Sequence, residues 1–223
     1  MSRYLSPGGQ QFRDDHGEAD PGVAGALAAY QAGQGSEQAA LTALSGARLL
    51  VPVLAQKDAN HDSEMVLPTL IGSDGRPALL AFTCTQALAL WRGDARPVPA
   101  GAGRVWRAAV ADRCAVVIDV AGPVPLAVEG ERLAALAAGR PVPPAHEDPD
   151  IRAAVAEALA CEPGIEGFTL GPGQQDGTDL AVTLRAAGPG DWRPAAGRAA
   201  DGIAARLAGR LRRGIEFGVT VGS

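Results

Sequence analysis

Two apolar runs, "MVLPTLI" (65–71) and "PALLAF" (77–82), flank Gly72-Ser73-Asp74-Gly75. An Asp-Gly pair inside so short a polar link can turn the chain back on itself but cannot house a crossover helix, so the two runs must form an antiparallel hairpin. Immediately afterwards "FTCTQALALWR" (82–92) turns into a short helix. Thr83 and Gln86 have the spacing of a capping box, Gly93 ends the helix, and Trp91 lies three residues after Leu88 on the same face.

The same alternation of hairpins and helices continues along the chain. Asp20-Pro21 supplies a cap and first-turn proline for a helix through Tyr30, and Ser36 caps a second helix carrying Ala40, Leu41 and Leu44. "RLLVPVLA" (48–55) is a strand whose proline predicts a sheet edge or a strand end. "ARPVP" (95–99) is extended, and "RVWRAAVADR" (104–113) is a helix with Val105, Trp106, Ala109 and Val110 on its buried side. "CAVVIDVA" and "VPLAVEG" form another strand pair, closed by the helix "ERLAALAAG".

"RPVPPAHEDPD" then reads as an extended, proline-rich linker. Beyond it, Ile151, Val155 and Leu159 mark a helix at i, i+4 and i+8, and "DLAVTLRA" alternates Leu180, Val182 and Leu184 inward against Asp179, Thr183 and Arg185. A last helix over 195–213 aligns Ile203, Leu207 and Leu211, and "IEFGVTV" turns Ile215, Phe217, Val219 and Val221 to one side. Hairpins outnumber strand-helix-strand crossovers, which predicts an α+β fold with a mixed, largely antiparallel sheet and helices, followed by a smaller α-ββ-α-β unit. The expected organisation is a mobile tail over 1–19, an α+β domain over 20–140, a linker over 141–148 and a C-terminal unit over 149–223.

At 223 residues, 47% hydrophobic and 20% charged, the chain has enough apolar material to bury a core. No run of about 18 uncharged apolar residues is present, so no membrane partner is expected. The first residues lack the apolar core of a signal peptide, and a cytoplasmic location follows as an expectation. A net charge of −5 argues against general capture by nucleic acid. Cys84, Cys114 and Cys161 lie too far apart, and in the wrong number, for a disulfide framework or a structural zinc site, so reduced thiols are expected.

The candidates for chemistry are few. Cys84 stands at a strand-to-helix junction, where helix-start N–H groups can activate a thiol, but a cysteine nucleophile also needs a base. The histidines are His16 in the tail, His61 in a polar loop and His146 in the linker. A small, partly buried residue in a helix cap accounts for Cys84 equally well. His61, Asp62 and Glu64 place an imidazole beside two carboxylates, a weak metal set with no further ligand at helical or hairpin spacing; a solvated loop is the simpler account. Arg206, Arg210 and Arg213, at i, i+4 and i+7, would form a basic stripe able to meet an acidic partner or a nucleic-acid backbone, or an ordinary solvated face near a helix C-terminus. Neither "GAGRVW" nor "GPGQQDGTD" has the residues of a phosphate loop, and no GxSxG or HExxH is present. No catalytic residue, metal or cofactor is implied.

The segments "RLLVPVLA", "SEMVLPTLIGSDGRPALLAFTCTQALALWR", "ARPVP", "CAVVIDVAGPVPLAVEG" and "ERLAALAAGRPVPPAHEDPDIRAAVAEAL" together resemble the SseB family, the enhanced serine sensitivity protein B group, in its actinobacterial form. The resemblance covers about residues 20 to 161. It implies an α+β domain in a bacterial cytoplasmic protein, and defines no catalytic or ligand residue that transfers to this chain. The family often has Ser where this chain has Cys84, which a helix-start role explains and thiol catalysis does not. The expectation is a non-enzymatic interaction or regulatory module that binds another protein by a sheet face, a hairpin or an open edge such as Val51–Val53. The alternative is an enzyme or small-molecule binder linked to serine or sulfur amino-acid metabolism, with Cys84 and the His61–Glu64 loop at its site.

Overall fold

The computed structural model describes residues 15–57, 63–72, 75–122, 124–160, 162–175, 177–188 and 190–221, with 56, 57 and 63–66 as backbone only. Compact packing divides the chain into two units: one reaches to Ala28 and resumes over Leu41–Val142, and the other joins Ala29–Ala40 to Pro143 and beyond. Residues 29–40, assigned to the N-terminal domain on sequence alone, thus group with the C-terminal unit. The division passes through two helices, α1 (Pro21–Gln31) and α2 (Glu37–Ser45). Both start where the sequence caps them. Asp20 Oδ1 accepts from the N–H groups of Gly22 and Val23 at 2.8 and 3.1 Å, and Ser36 Oγ accepts from that of Ala39 at 3.2 Å.

In the first unit, β1 (Arg48–Lys57) is flanked by β2 (Ser63–Val66) and β5 (Arg96–Gly101), both antiparallel to it. A second sheet has the order β3-β4-β6-β7, from β3 (Thr69–Ile71), β4 (Pro77–Ala81), β6 (Ala115–Ile118) and β7 (Leu126–Val128). β3 and β4 form the hairpin read from the Gly-Ser-Asp-Gly link, with Gly75 at φ +78° as such a turn requires; Asp74 lies outside the described residues. β4 and β6 run parallel, connected through α3 (Thr85–Trp91), β5 and α4 (Ala102–Ala111), while α5 (Gly130–Ala137) follows β7. The "MVLPTLI" run is two strands, divided at Leu67-Pro68: the first half pairs with β1 and the second with β4.

Pro52 lies in the part of β1 that is laddered to β5, with β2 pairing only from Leu54 on, and the register shows why the strand tolerates a proline there. Leu50 exchanges N–H and C=O with Phe82, both at 2.8 Å, so its backbone groups point away from its β5 partner Pro99. Leu50–Pro99 is therefore a non-hydrogen-bonded pair, and by the alternation of an antiparallel ladder so is Pro52–Pro97 two residues on. All three prolines occupy positions whose missing N–H the β1–β5 ladder never uses.

The Leu50–Phe82 bridge also joins the two sheets over a core of Leu50, Leu80, Phe82, Ala87, Leu88 and Ala95. The Trp91 ring packs on Phe82 with centroids 5.7 Å apart, so α3 is held down by the tryptophan at its last turn. Val105, Trp106 and Ala109 of α4 are buried as expected, but Val110 is 45% exposed because it lies at the rim of the buried arc.

The second unit is a three-stranded sheet, β10-β9-β8, with α6 (Pro149–Leu159) and α7 (Arg193–Leu207) packed on one face. β8 (Ile165–Pro172) is antiparallel to β9 (Leu180–Ala186), and β10 (Ile215–Val221) is parallel to it. Leu180, Val182, Leu184 and Ala186 of β9 are all buried against Ile151, Val155, Ala199, Ile203 and Leu207 of the helices. The α-ββ-α-β order is the one the sequence predicts. Three details differ. A 3-10 turn at Ala145–Glu147 occupies the segment read as an extended linker, α7 ends at Leu207 and not at Arg213, and Phe217 and Val221 of β10 are exposed although they share the inward-facing row.

Candidate functional site

The Cys84 corner forms where β4 runs out. Phe82 completes the bridge to β1, Thr83 turns the chain, and Cys84, extended at φ −151° and ψ 168°, is the N-cap of α3. Its Sγ accepts the N–H of Ala87 at 3.4 Å, and among the described residues that is the thiol's one hydrogen-bond partner. Thr83 does not act as the cap that its spacing to Gln86 suggests. Instead it donates its N–H to Asp119 Oδ1 at 2.8 Å and its hydroxyl to Oδ2 at 2.7 Å.

Asp119 follows β6 directly, so Thr83 and Asp119 stand at the carboxyl ends of adjacent parallel strands. Its N–H donates to the Ala81 carbonyl at 3.0 Å, and its own carbonyl accepts from Gly122 at 2.7 Å. The residue sits in the left-handed region at φ +47°, which Asp tolerates better than most side chains. Burial pushes its carboxyl above the ordinary range, while the two bonds from Thr83 pull it back. Both oxygens are thus engaged within the joint. The signal in the sequence is a lone carboxylate inside the apolar run "AVVIDVAGP", where only a paired acid is affordable.

Residues 15–18, read as part of a mobile tail, lie across this corner. Arg48 pairs with Asp15 at 2.8 Å and donates to the carbonyls of Thr83 (2.9 Å) and Glu18, and the N–H of Thr85 donates to the Gly17 carbonyl at 2.8 Å. His16 is exposed, and His61 and Asp62 lie outside the described residues. Glu64 is on β2, its backbone opposite Gln56, with no description of its side chain. No group of three or more metal-ligating side chains occurs among the described residues. Cys114 is buried, its thiol pushed up by that burial, and Cys161 lies outside the described residues.

The three arginines of the expected stripe are not brought together, since the helix ends before two of them. Arg206 is exposed and folds back on the Gly202 carbonyl of its own helix at 3.1 Å. Arg210 is drawn inward between two carboxylates, Asp148 at 2.6 Å and Glu37 at 3.2 Å. Burial opposes its charge, but the paired acids hold its pKa above the usual guanidinium value. Asp148 is simultaneously the N-cap of α6, accepting the N–H of Asp150 at 2.8 Å. Arg213 lies 3.9 Å from Asp179, which also accepts the Arg213 N–H at 3.1 Å.

What the second unit leaves open is apolar. The β10 row Ile215, Phe217, Val219 and Val221 pairs with buried residues of β9, yet Phe217 is 38% and Val221 44% exposed. At the start of the row lies a groove of about 490 Å³ lined by Leu207, Leu211, Ile215 and Phe217, with Arg212 as its one charged lining residue. The Arg212 guanidinium rests 5.1 Å from the centre of the Tyr30 ring. Tyr30 is itself fixed by its hydroxyl, which lies 3.1 Å from the carbonyls of Gly209 and Arg210. The row and the groove thus form an apolar surface with a single cation beside it.

No curated protein and no solved structure matches this chain at a significant level. The family model for the SseB protein N-terminal domain matches residues 23–135, about half of the chain, from α1 into α5. The chain therefore belongs to the SseB family.

Proposed function

We propose that this SseB-family chain is a non-enzymatic cytoplasmic interaction module that binds another protein through the apolar row of β10. The observation that carries the reading is the exposure of Phe217 and Val221 on a strand at the end of its sheet. Large apolar side chains beside an open sheet edge favour aggregation unless a partner covers them, so their presence on one strand fits a binding surface. The Val51–Val53 segment offered by the sequence is a weaker candidate, because it is already laddered to β5 on one side and Val51 is buried. In keeping with the reading, no helix among the described residues is long and apolar enough to cross a membrane. Affinity capture with the tagged full-length chain from its native host tests the proposal. A partner retained by the wild type and lost from the Phe217→Lys/Val221→Lys variant supports it. Recovery of no such partner, together with thermal stabilisation by a free amino acid, overturns it.

The position of Cys84 and Asp119 at the carboxyl ends of parallel strands favours a second reading. Open α/β sheets bind ligands at such ends, and an enzyme or small-molecule binder of serine or sulfur amino-acid metabolism would use Cys84 with the His61–Glu64 loop there. Rapid, selective alkylation of Cys84 that free serine or cysteine slows would move this reading ahead of the first.

A further inference from the structure

We infer that the β10 surface recognises an extended, acidic peptide segment, which adds to the sheet as a fourth strand. This rests on the interaction reading above and names the class of partner. β10 pairs with β9 along its whole length, from Ile215–Leu180 to Val221–Ala186, and no strand among the described residues covers its other side. A partner strand laid there would continue the ladder, with main-chain bonds supplying affinity and alternate side chains supplying specificity.

The shape of the apolar surface selects an extended occupant. The row from Ile215 to Val221 spans six residue steps, about 20 Å at roughly 3.3 Å per residue. A compact ligand in the groove would reach Phe217 and leave Val221 uncovered. A strand covers both, because its own inward side chains repeat with the period of β10.

The charge at the groove selects an acidic one. Arg212 is exposed and, among the described residues, no carboxylate forms an ion pair with it, whereas its neighbour Arg210 has two and Arg213 has one. Tyr30 holds the guanidinium by its face, which leaves the edge of the fork free to meet a carboxylate in the bidentate manner. A second copy of this chain is a poorer occupant. The one acid of its β10, Glu216, already accepts the N–H groups of Gln174 and Gln175 at 2.9 and 3.2 Å.

The test uses the full-length chain and two capped ten-residue peptides that alternate valine and threonine, one with glutamates and the other with lysines at one end. Fluorescence anisotropy should show the glutamate peptide bound about tenfold or more tightly, although the chain's net charge of −5 would by itself favour the lysine peptide. Arg212→Glu should reverse the preference, and Phe217→Lys/Val221→Lys should weaken both peptides by about tenfold or more. An unchanged far-UV spectrum and melting temperature show that each variant is folded. Equal affinities, a lysine preference, or indifference to Arg212→Glu overturns the inference. So does sedimentation showing that the wild type self-associates through the residues the double variant removes. A native partner lost from the double variant but kept by Arg212→Glu, with neither peptide bound, would sink the acidic-strand assignment alone. A native partner indifferent to the double variant would remove the interaction surface itself.

Discussion

Thr83 gives both of its donors to one carboxylate, its N–H to Asp119 Oδ1 at 2.8 Å and its hydroxyl to Oδ2 at 2.7 Å, and so clamps the end of β4 to the end of β6. Asp119→Ala leaves two buried donors without acceptors and puts alanine at φ +47°, which should cost roughly 2–4 kcal/mol in a urea titration.

The same carboxyl makes a pH prediction. Burial raises its folded pKa above the ordinary 3.8, so its contribution to stability is fully present below that value and is lost as pH rises through the folded pKa. Asp119→Asn keeps an acceptor, tolerates the left-handed backbone and does not titrate. The stability of the wild type minus that of Asp119→Asn should therefore fall as pH rises from about 3.8 and then level off. A difference that is flat or rises over that range refutes the assignment.

Arg210 lies between Asp148 and Glu37, and its removal takes the guanidinium away from two largely buried acids. Arg210→Met should cost about 3–5 kcal/mol, whereas Arg206→Met, on the exposed face of α7, should change stability by no more than about 0.5 kcal/mol. Equal effects in denaturant unfolding would show that Arg210 is as solvated as Arg206.

The proline register of β1 and β5 is testable by parity. Pro97→Ala and Pro99→Ala restore an N–H that the ladder does not use, and should move stability by less than about 1 kcal/mol. Val98→Pro, opposite Val51 at a hydrogen-bonded position, should cost about 3 kcal/mol or more.

Cys84 caps α3 through its sulfur, which a hydroxyl can replace. Cys84→Ser should keep or slightly raise stability, while Cys84→Ala should lose about 1 kcal/mol. Thermal unfolding of the three proteins side by side distinguishes a cap from a residue retained only for its volume.

The parts of this fold legible in the sequence are those decided by neighbours along the chain. Asp20 and Ser36 cap the helices they precede, the link ending in Gly75 turns its hairpin, and the alternation of Leu180, Val182 and Leu184 gives the buried face of β9. The misread positions have their reasons at a distance. Thr83 has the spacing of a cap, but Asp119, 36 residues away, accepts its hydroxyl on one carboxylate oxygen and its N–H on the other. Arg210 and Arg213 continue a helical spacing that stops at Leu207, where Asp148 and Asp179 draw them inward. Of the candidate site residues, Cys84 is where the sequence puts it, at the start of α3, and performs the structural role open to it there.

The sequence by itself determined the α+β class, the order of strands and helices in the C-terminal unit, and membership of the SseB family, because each is written in local periodicity, turn chemistry and short motifs. Periodicity states which residues share a face, but not whether another layer covers it. Only the tertiary structure decided that β1 pairs with β5 along Arg48–Val53 and with β2 from Leu54 on, that Arg210 is paired with a carboxylate 173 positions away, and that Phe217 and Val221 stay exposed while Ile215 and Val219 of the same row pack on the core. Burial and charge pairing are properties of the packed chain, and on β10 the packing stops short of Phe217 and Val221.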